Sequence, residues 1–236
     1  LNVVIPMAGL GSRFSNEGYS LPKHLIPVID KSMIHSVIEN LNLDANWIFI
    51  IRNDLDNKVK ELLKQLKPDS KIIEISEVTD GPARTALLAK QYITEDPLII
   101  TNCDQMIHDF DYNKLLEFSD INNLDGVLGA FISNSDKNSY VKLNDDGYVI
   151  DVKEKIVISN IATNGLHFWK NGLDFVSSAE EMIESKEMYN NEFYIAPSYN
   201  YLIKKGKRVL PFFYNLHFPI GTPNDLKIYQ ELYGNS

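Results

Sequence analysis

Three stretches of this sequence carry residue types suited to handling phosphate groups. The first is Gly9-Leu10-Gly11-Ser12-Arg13-Phe14, directly after the apolar run Val3–Pro6. Glycines at such a place let backbone N–H groups approach an anion closely, and Arg13 adds a permanent charge with a fork of donors. A dinucleotide-binding fingerprint needs a third Gly where Phe14 stands. A P-loop needs Gly-Lys-Ser/Thr after four intervening residues, and that is absent too. The loop is therefore either a phosphate cradle of another kind or a plain turn between strand and helix. The second stretch, Pro22-Lys23-His24-Leu25-Ile26-Pro27-Val28, sets a lysine between two prolines. A stiff loop of that kind aims a side chain, whereas a solvated surface lysine needs no such frame. The third, Leu98-Ile99-Ile100-Thr101-Asn102-Cys103-Asp104-Gln105, is a buried-strand pattern ending in an acid, a residue that commonly caps turns.

The 23 basic and 32 acidic residues of this 236-residue chain leave a formal net charge of −9. That balance argues against non-specific binding to nucleic acid or to an anionic membrane. One local cluster of Lys and Arg still suffices for a small phosphorylated ligand. Hydrophobic residues at 44% and charged residues at 23% exclude wholesale disorder and fibrous folds. No apolar run approaches the roughly 20 residues that span a bilayer. Leu1-Asn2-Val3-Val4-Ile5-Pro6 leads straight into a strand pattern, so no signal peptide is expected. Cys103 is the single cysteine, which excludes an intrachain disulfide and a Cys-rich zinc site and points to the cytoplasm. It reads as a small buried residue rather than a nucleophile. The five histidines form no metalloprotease pattern, and no nucleophile elbow is present.

The elements that must position these stretches alternate. Strand patterns at Val3–Pro6, Trp47–Ile51, Ile72–Ile75, Leu98–Thr101 and Val127–Ile132 are separated by helical spacings at Met33–Leu41, Val59–Leu66, after Pro82, and at Tyr112–Phe118. This alternation predicts an α/β fold with a Rossmann-like, mostly parallel sheet and helices on both faces. Ligands then bind at the carboxyl ends of the strands, so the loops after Pro6, Ile75 and Thr101 are where to look. The later chain changes character. Tyr140–Leu143 and Tyr148–Val152 alternate across Asp145-Asp146-Gly147, a hairpin signal. Thr163–Trp169 and Val209–Phe213 read as strands, and Leu173–Ser185 and Ala196–Lys205 as helices, the second closed by Gly206. Thr222-Pro223 opens a last helix. We expect a single domain over 1–236, with a nucleotide-binding half at 1–135 and an acceptor-binding half at 136–236, the latter a small antiparallel extension of the same fold.

Gly-x-Gly-x-Arg after an N-terminal strand, then Pro-Lys-x-Leu-x-Pro-Val, then Met33-Ile34, resembles the sugar-phosphate nucleotidylyltransferases. The resemblance continues at intervals to Leu226. It implies that a phosphomonoester attacks the α-phosphorus of a nucleoside triphosphate and that pyrophosphate leaves, a reaction governed by positioning and charge neutralisation. On that reading Arg13 clamps the terminal phosphates, and Lys23 sits near the α-phosphate. Ala8, Gly9, Gly11 and Ser12 form the nucleotide loop together with Asn102. Asp104 resembles the family's Mg²⁺ ligand. Glu77-Val78-Thr79-Asp80-Gly81-Pro82-Ala83 sits where the family reads the base, so Thr79 and Gly81 are candidates for that contact, although the segment also reads as the start of a helix. Lys155 of Glu154-Lys155 would hold the acceptor phosphate. Asn164-Gly165 would let the acceptor approach the backbone. Glu192 resembles the acceptor-binding Glu, and it would equally suit the first turn of the Ala196–Lys205 helix.

Gly221-Thr222-Pro223-Asn224-Asp225-Leu226 resembles a further family segment, with one departure. Many members carry an Asp two residues before that Gly as a second metal ligand, and here Pro219 stands there. His217 and Asp109 are the nearest replacements by sequence, and Asp225 reads as a helix-start residue. The Asn-Cys-Asp-Gln and Asn-Glu-Phe-Tyr variants resemble a capsule-associated subgroup that includes cytidylyltransferases for phosphoglutamine, so CTP is the favoured nucleotide. A homo-oligomer is compatible with the chain. Two other classes stay open. A glycosyltransferase using a nucleotide-sugar would want an Asp-x-Asp pair such as Asp109-Phe110-Asp111, and a non-catalytic nucleotide-binding protein would account for Pro219.

Overall fold

A computed structural model describes residues 1–55 and 57–234. In chain order its regular elements are β1 (Asn2–Pro6), α1 (Ser12–Ser15), α2 (Met33–Leu41), β2 (Asn46–Arg52), α3 (Asn57–Leu66), β3 (Lys71–Ile75), α4 (Pro82–Leu87), β4 (Leu98–Ile100), β5 (Gln105–Ile107), α5 (Tyr112–Ile121), β6 (Gly126–Ile132), β7 (Ser139–Leu143), β8 (Val149–Glu154), β9 (Ile161–Trp169), α6 (Gly172–Glu184), α7 (Tyr199–Lys204), β10 (Val209–Phe213), β11 (His217–Pro219) and α8 (Pro223–Tyr233). The main sheet runs β10-β6-β9-β4-β1-β2-β3, with the β7–β8 hairpin joined through β9. Every strand on that path is parallel to β1 except β9, which runs antiparallel to both β4 and β6.

Strand alternation divides the apolar residues between two cores. Val3, Ile5, Trp47, Phe49 and Ile51 face one side, under α2, α3, α5 and α8. Val4, Ile48, Ile50, Leu98 and Ile100 face the other, under α4, α6 and α7. Strands buried on both faces read as continuous apolar runs, which is why the sequence shows them so plainly. The sheet therefore has the mostly parallel α/β architecture expected.

Three features differ from the expected layout. β9 lies in the middle of the sheet rather than beyond it, because Leu166 and Phe168 bury into one core and Trp169 into the other. The segment Ala196–Lys205 is a 3₁₀ turn at Ala196–Ser198 followed by α7, with Pro197 inside the 3₁₀ turn. A separate two-stranded ribbon pairs β5 with β11 antiparallel. Three-residue strands, one ending in Pro219, leave too short a pattern to recognise from sequence. The helix at Thr222 forms as expected, with the Thr222 side chain accepting from the Asp225 N–H at 3.1 Å.

Candidate active site

β1 delivers the chain at its carboxyl end into the glycine loop. Met7 still pairs with β2, its N–H bonding to the Ile50 carbonyl at 2.9 Å. Gly11 then takes a left-handed conformation, φ 65°, just before α1. That one short turn exposes Ser12 and Arg13 and buries Phe14, whose ring meets Tyr19 edge-on at 5.2 Å. Lys23 lies on a 3₁₀ turn, Lys23–Leu25, braced by Leu25 N–H to the Pro22 carbonyl at 2.8 Å. Its ammonium reaches across to the Asp104 carboxylate, forming an ion pair. A cavity of about 170 Å³ opens here, lined by Gly9, Gly11, Lys23, His24, Asn102 and Asp104 among others. Burial works against the charge on Lys23, but the Asp104 carboxylate outweighs it and holds the ammonium above its ordinary range. Burial pushes the Cys103 thiol up to about 12, so it stays protonated and inert. His24 is driven down to about 4 by burial and by the Lys23 charge, and is neutral.

Asp104 sits between β4 and β5, at the carboxyl end of the central strands. Its backbone carbonyl accepts from the Ile220 N–H at 2.9 Å. Its carboxylate fills the space where a side chain on Gly221 would stand. On β11, His217 and Pro219 share one face and line a larger cleft beside Asp104, while Phe218 turns away onto Tyr229 and Tyr233. Asp109 is elsewhere. It accepts the Asn215 and Leu216 N–H groups at 2.8 and 3.2 Å, and Asp111 caps α5 through Asn113 and Lys114. The Asp-x-Asp pair is thus spent on loop anchoring and lines neither cavity, which removes the motif a glycosyltransferase reading needs. It also removes Asp109 as a replacement ligand and leaves His217. Among the described residues no group of three or more His, Cys, Asp or Glu side chains is placed to hold a metal ion. Asp104 alone still fits Mg²⁺, which is commonly held by one or two carboxylates with phosphate oxygens and water.

The larger cleft, about 380 Å³, shares Asn102 and Asp104 with the first cavity and also receives Arg13. Its floor is a bulge in β9. Leu128 pairs with His167 and Ala130 with Thr163, so the single residue Gly129 spans Asn164, Gly165 and Leu166. Gly165 has φ 83°, and its missing side chain admits the Asn102 amide. The bulge therefore joins the two halves of the site, and it turns Thr163, Asn164, Gly165 and His167 all toward the cleft. On the wall, Glu154 is buried and accepts from the Ser139 hydroxyl, and burial raises its carboxyl above the usual range. Lys155, at φ 52°, donates to the Tyr194 hydroxyl at 2.6 Å and lies over the Tyr189 and Tyr194 rings at 5.5 and 4.5 Å. Tyr194 in turn donates to Glu192 at 2.5 Å, and burial and that carboxylate raise its own pKa.

Of the residues singled out from sequence, Arg13, Lys23, Gly9, Gly11, Asn102, Asp104, Lys155, Asn164 and Gly165 line one or both cavities. Ala8, Ser12, Thr79, Gly81 and Glu192 line neither. Thr79 bonds to the Gly81 carbonyl and to the Thr85 hydroxyl at 2.6 Å. Gly81, φ 125°, lies against the Phe193 backbone, with no space for a side chain. There Phe193 N–H meets the Asp80 carbonyl at 2.7 Å and Ala83 N–H meets the Phe193 carbonyl at 2.9 Å. Glu192 is not in a helix. It closes a tight turn with Tyr189, in which Asn190 and Asn191 both have positive φ, and reaches the cleft only through Tyr194. Sequence reasoning gave no role to His167, Tyr194 or Gln105. A polar residue inside the apolar run Leu166–Trp169 was the signal available for the first.

The description "Nucleotidyl transferase" belongs to the family model that matches residues 2–228. The chain is 26% identical over 238 residues to the bifunctional protein GlmU of Thermodesulfovibrio yellowstonii, covering 96% of this chain and 48% of that one. It is 25% identical over 210 residues to the GlmU protein of Methanocaldococcus jannaschii, at 88% and 48% coverage. It thus spans about half the length of these curated relatives. Among solved structures, the nucleoside-diphosphate-sugar pyrophosphorylase of Vibrio cholerae RC9 superposes with a TM-score of 0.83 at 28% identity, covering 97% of this chain and 99% of that one. The inositol-1-phosphate CTP transferase of T. maritima shares the fold, with a TM-score of 0.75 at 16% identity. With the family model matched over nearly its whole length and the glycine loop, Lys23 and Asp104 converging on one junction, the chain belongs to the nucleotidyl transferase family.

Proposed function

We propose that this chain transfers a nucleotidyl group from a nucleoside triphosphate, CTP by preference, to a small phosphomonoester. An acceptor phosphate oxygen bonds to the α-phosphorus, the bond from that phosphorus to the β-phosphate bridge breaks, and pyrophosphate departs with the electron pair. The observation that carries this reading is the meeting of two cavities at Asn102 and Asp104, with the Lys23 ammonium at the junction. A displacement between two anions needs both reactants held against one cationic point, and this arrangement supplies it.

The glycine loop and Arg13 hold the terminal phosphates. Lys23, kept charged, leaves Asp104 for the α-phosphate as charge builds there. Asp104 and phosphate oxygens would hold Mg²⁺, which neutralises charge on the leaving pyrophosphate. Lys155 donates to the Tyr194 phenol at 2.6 Å and meets the Glu154 carboxylate only at 3.9 Å, so its ammonium is available to the acceptor phosphate. Residues 1–135 thus serve the nucleotide and 136–236 the acceptor within a single domain. The V. cholerae relative's description as a nucleoside-diphosphate-sugar pyrophosphorylase favours a sugar phosphate acceptor. The Asn-Cys-Asp-Gln and Asn-Glu-Phe-Tyr variants extend the choice to capsule-type non-sugar phosphates such as phosphoglutamine. We place the reaction in the cytoplasm, where nucleoside triphosphates are supplied.

The test crosses four nucleoside triphosphates with sugar 1-phosphates and non-sugar phosphomonoesters in the presence of Mg²⁺ and follows pyrophosphate. One productive pair, with CTP ahead of the other bases, is the expected result. Release of free nucleoside diphosphate from nucleotide-sugars, without pyrophosphate from any pair, would overturn the reading.

A further inference from the structure

The floor of the larger cleft holds two buried polar side chains, each with one nitrogen left without a partner. Asn164 and His167 are each 5% exposed. The Asn164 Oδ1 accepts from the Leu166 N–H at 3.0 Å, in space opened by the absent side chain of Gly129, while its Nδ2 has no partner. The Nδ1 of His167 has none either. Buried polar atoms are nearly always hydrogen-bonded, and leaving one unmet costs on the order of 1–3 kcal/mol. The other unpartnered buried atoms, including those of His24 beside the smaller cavity and of Trp47, Trp169, Ser178 and Tyr214, belong to residues that do not line the larger cleft, whereas Asn164 and His167 both line it. The β9 bulge is what brings these two side chains to one surface.

The chemistry of the pair limits what it can bind. Burial drives His167 to about 3, so the imidazole is neutral, and its ring is fixed between Trp169 and Tyr199, each at 6.0 Å. A neutral imidazole offers a donor or an acceptor according to tautomer, and the amide Nδ2 offers N–H donors only. Neither compensates a full charge, whose burial without a partner is costly. The cationic side chains of the cleft, Arg13, Lys137 and Lys155, are separate from this pair in the chain and suit the phosphate.

We propose that His167, acting with Asn164, determines acceptor specificity by binding an uncharged group that carries both an acceptor oxygen and a donor hydrogen, a hydroxyl or a carboxamide, on the body of the acceptor away from its phosphate. This rests on the proposed function for the identity of the cleft. It makes His167 a recognition residue rather than a catalytic one.

The experiment is calorimetric binding of three phosphomonoesters of equal charge to the wild type, H167F and H167N. The probes are cyclohexyl phosphate, α-D-glucose 1-phosphate and O-phospho-3-hydroxypropanamide. The expected result is that one of the two polar probes binds the wild type at least about tenfold tighter than cyclohexyl phosphate, the equivalent of one good hydrogen bond. That gap should close in H167F and partly return in H167N, with CTP affinity the same in all three. Melting curves and CTP binding show whether each variant is folded, and H167N stands in if H167F is not. No gap in the wild type, including no binding of any probe, or an undiminished gap in both variants, would overturn the proposal. Because the readout is binding, failure of nucleotidyl transfer shows up separately, as absent pyrophosphate.

Discussion

Along β1 the chain keeps strict alternation to Pro6 and delivers its chemistry within the next few residues, as a glycine loop on a left-handed Gly11. Along β9 alternation breaks, and the bulge brings Asn164 and His167 into one cleft while Gly165 accommodates Asn102 from the β4 side. The first region presents loop backbone with the Arg13 side chain beside it and needs only local sequence. The second works through side chains and needs two strands and a loop at once. On the proposed function, backbone recognition suits the triphosphate common to every substrate pair. Side-chain recognition suits an acceptor that varies between relatives, because changing it leaves the nucleotide loop intact.

The largest effect should come at the junction the two regions share. Lys23→Ala and Asp104→Ala are each expected to lower kcat by about 10²- to 10³-fold, as a lost charge contact at a transition state does. Near wild-type turnover in either would separate the junction from the chemistry. Next, Gly165→Ala forces a side chain into a left-handed conformation, costing about 1–2 kcal/mol, and into the Asn102 amide besides. A lowered denaturation midpoint with weakened acceptor binding is expected, while Gly147→Ala, with open space around its Cβ position, should cost only the conformational part. Equal losses at both positions would mean the Asn102 contact contributes nothing.

A smaller effect follows from pH. His24 and His167 have folded pKa values of about 4 and about 3, below the ordinary 6.5. Below pH 6.5 the unfolded chain therefore binds protons that the native chain refuses, and stability falls with acid, approaching about 1.4 kcal/mol per pH unit for each group. Glu154, whose carboxyl is raised by burial, acts in the opposite sense, losing stability as pH rises from its ordinary 4.5 through its raised value. Urea midpoints measured from pH 7.5 to 5 should decline, and H167N should flatten the decline. An unchanged slope in H167N would show that His167 is not the buried neutral group described.

Much of this arrangement was legible in the sequence. The parallel strands show because burial on both faces demands unbroken apolar runs, Arg13 and Asp104 show because each follows a strand end closely, and Lys23 shows because Pro22 and Pro27 frame its loop. The bulge in β9 was not legible, since it is a relation among Gly129, Gly165 and Asn102, which lie far apart in the chain. The β5–β11 ribbon was too short to carry a pattern. Thr79 and Gly81 were placed at the base; in the structure Thr79 bonds to Gly81 and Thr85 within its own segment, and Gly81 packs against the Phe193 backbone. Glu192 also read as a helix start; the consecutive Asn190 and Asn191, residues that tolerate positive φ, were the available sign that it closes a tight turn instead.

The division of labour between the two regions is tested most directly by Lys155→Ala, with KM measured separately for each substrate of a productive pair. The account predicts that KM for the acceptor rises about tenfold or more while KM for the nucleoside triphosphate stays unchanged. A parallel rise in both, or no change in either, would contradict it.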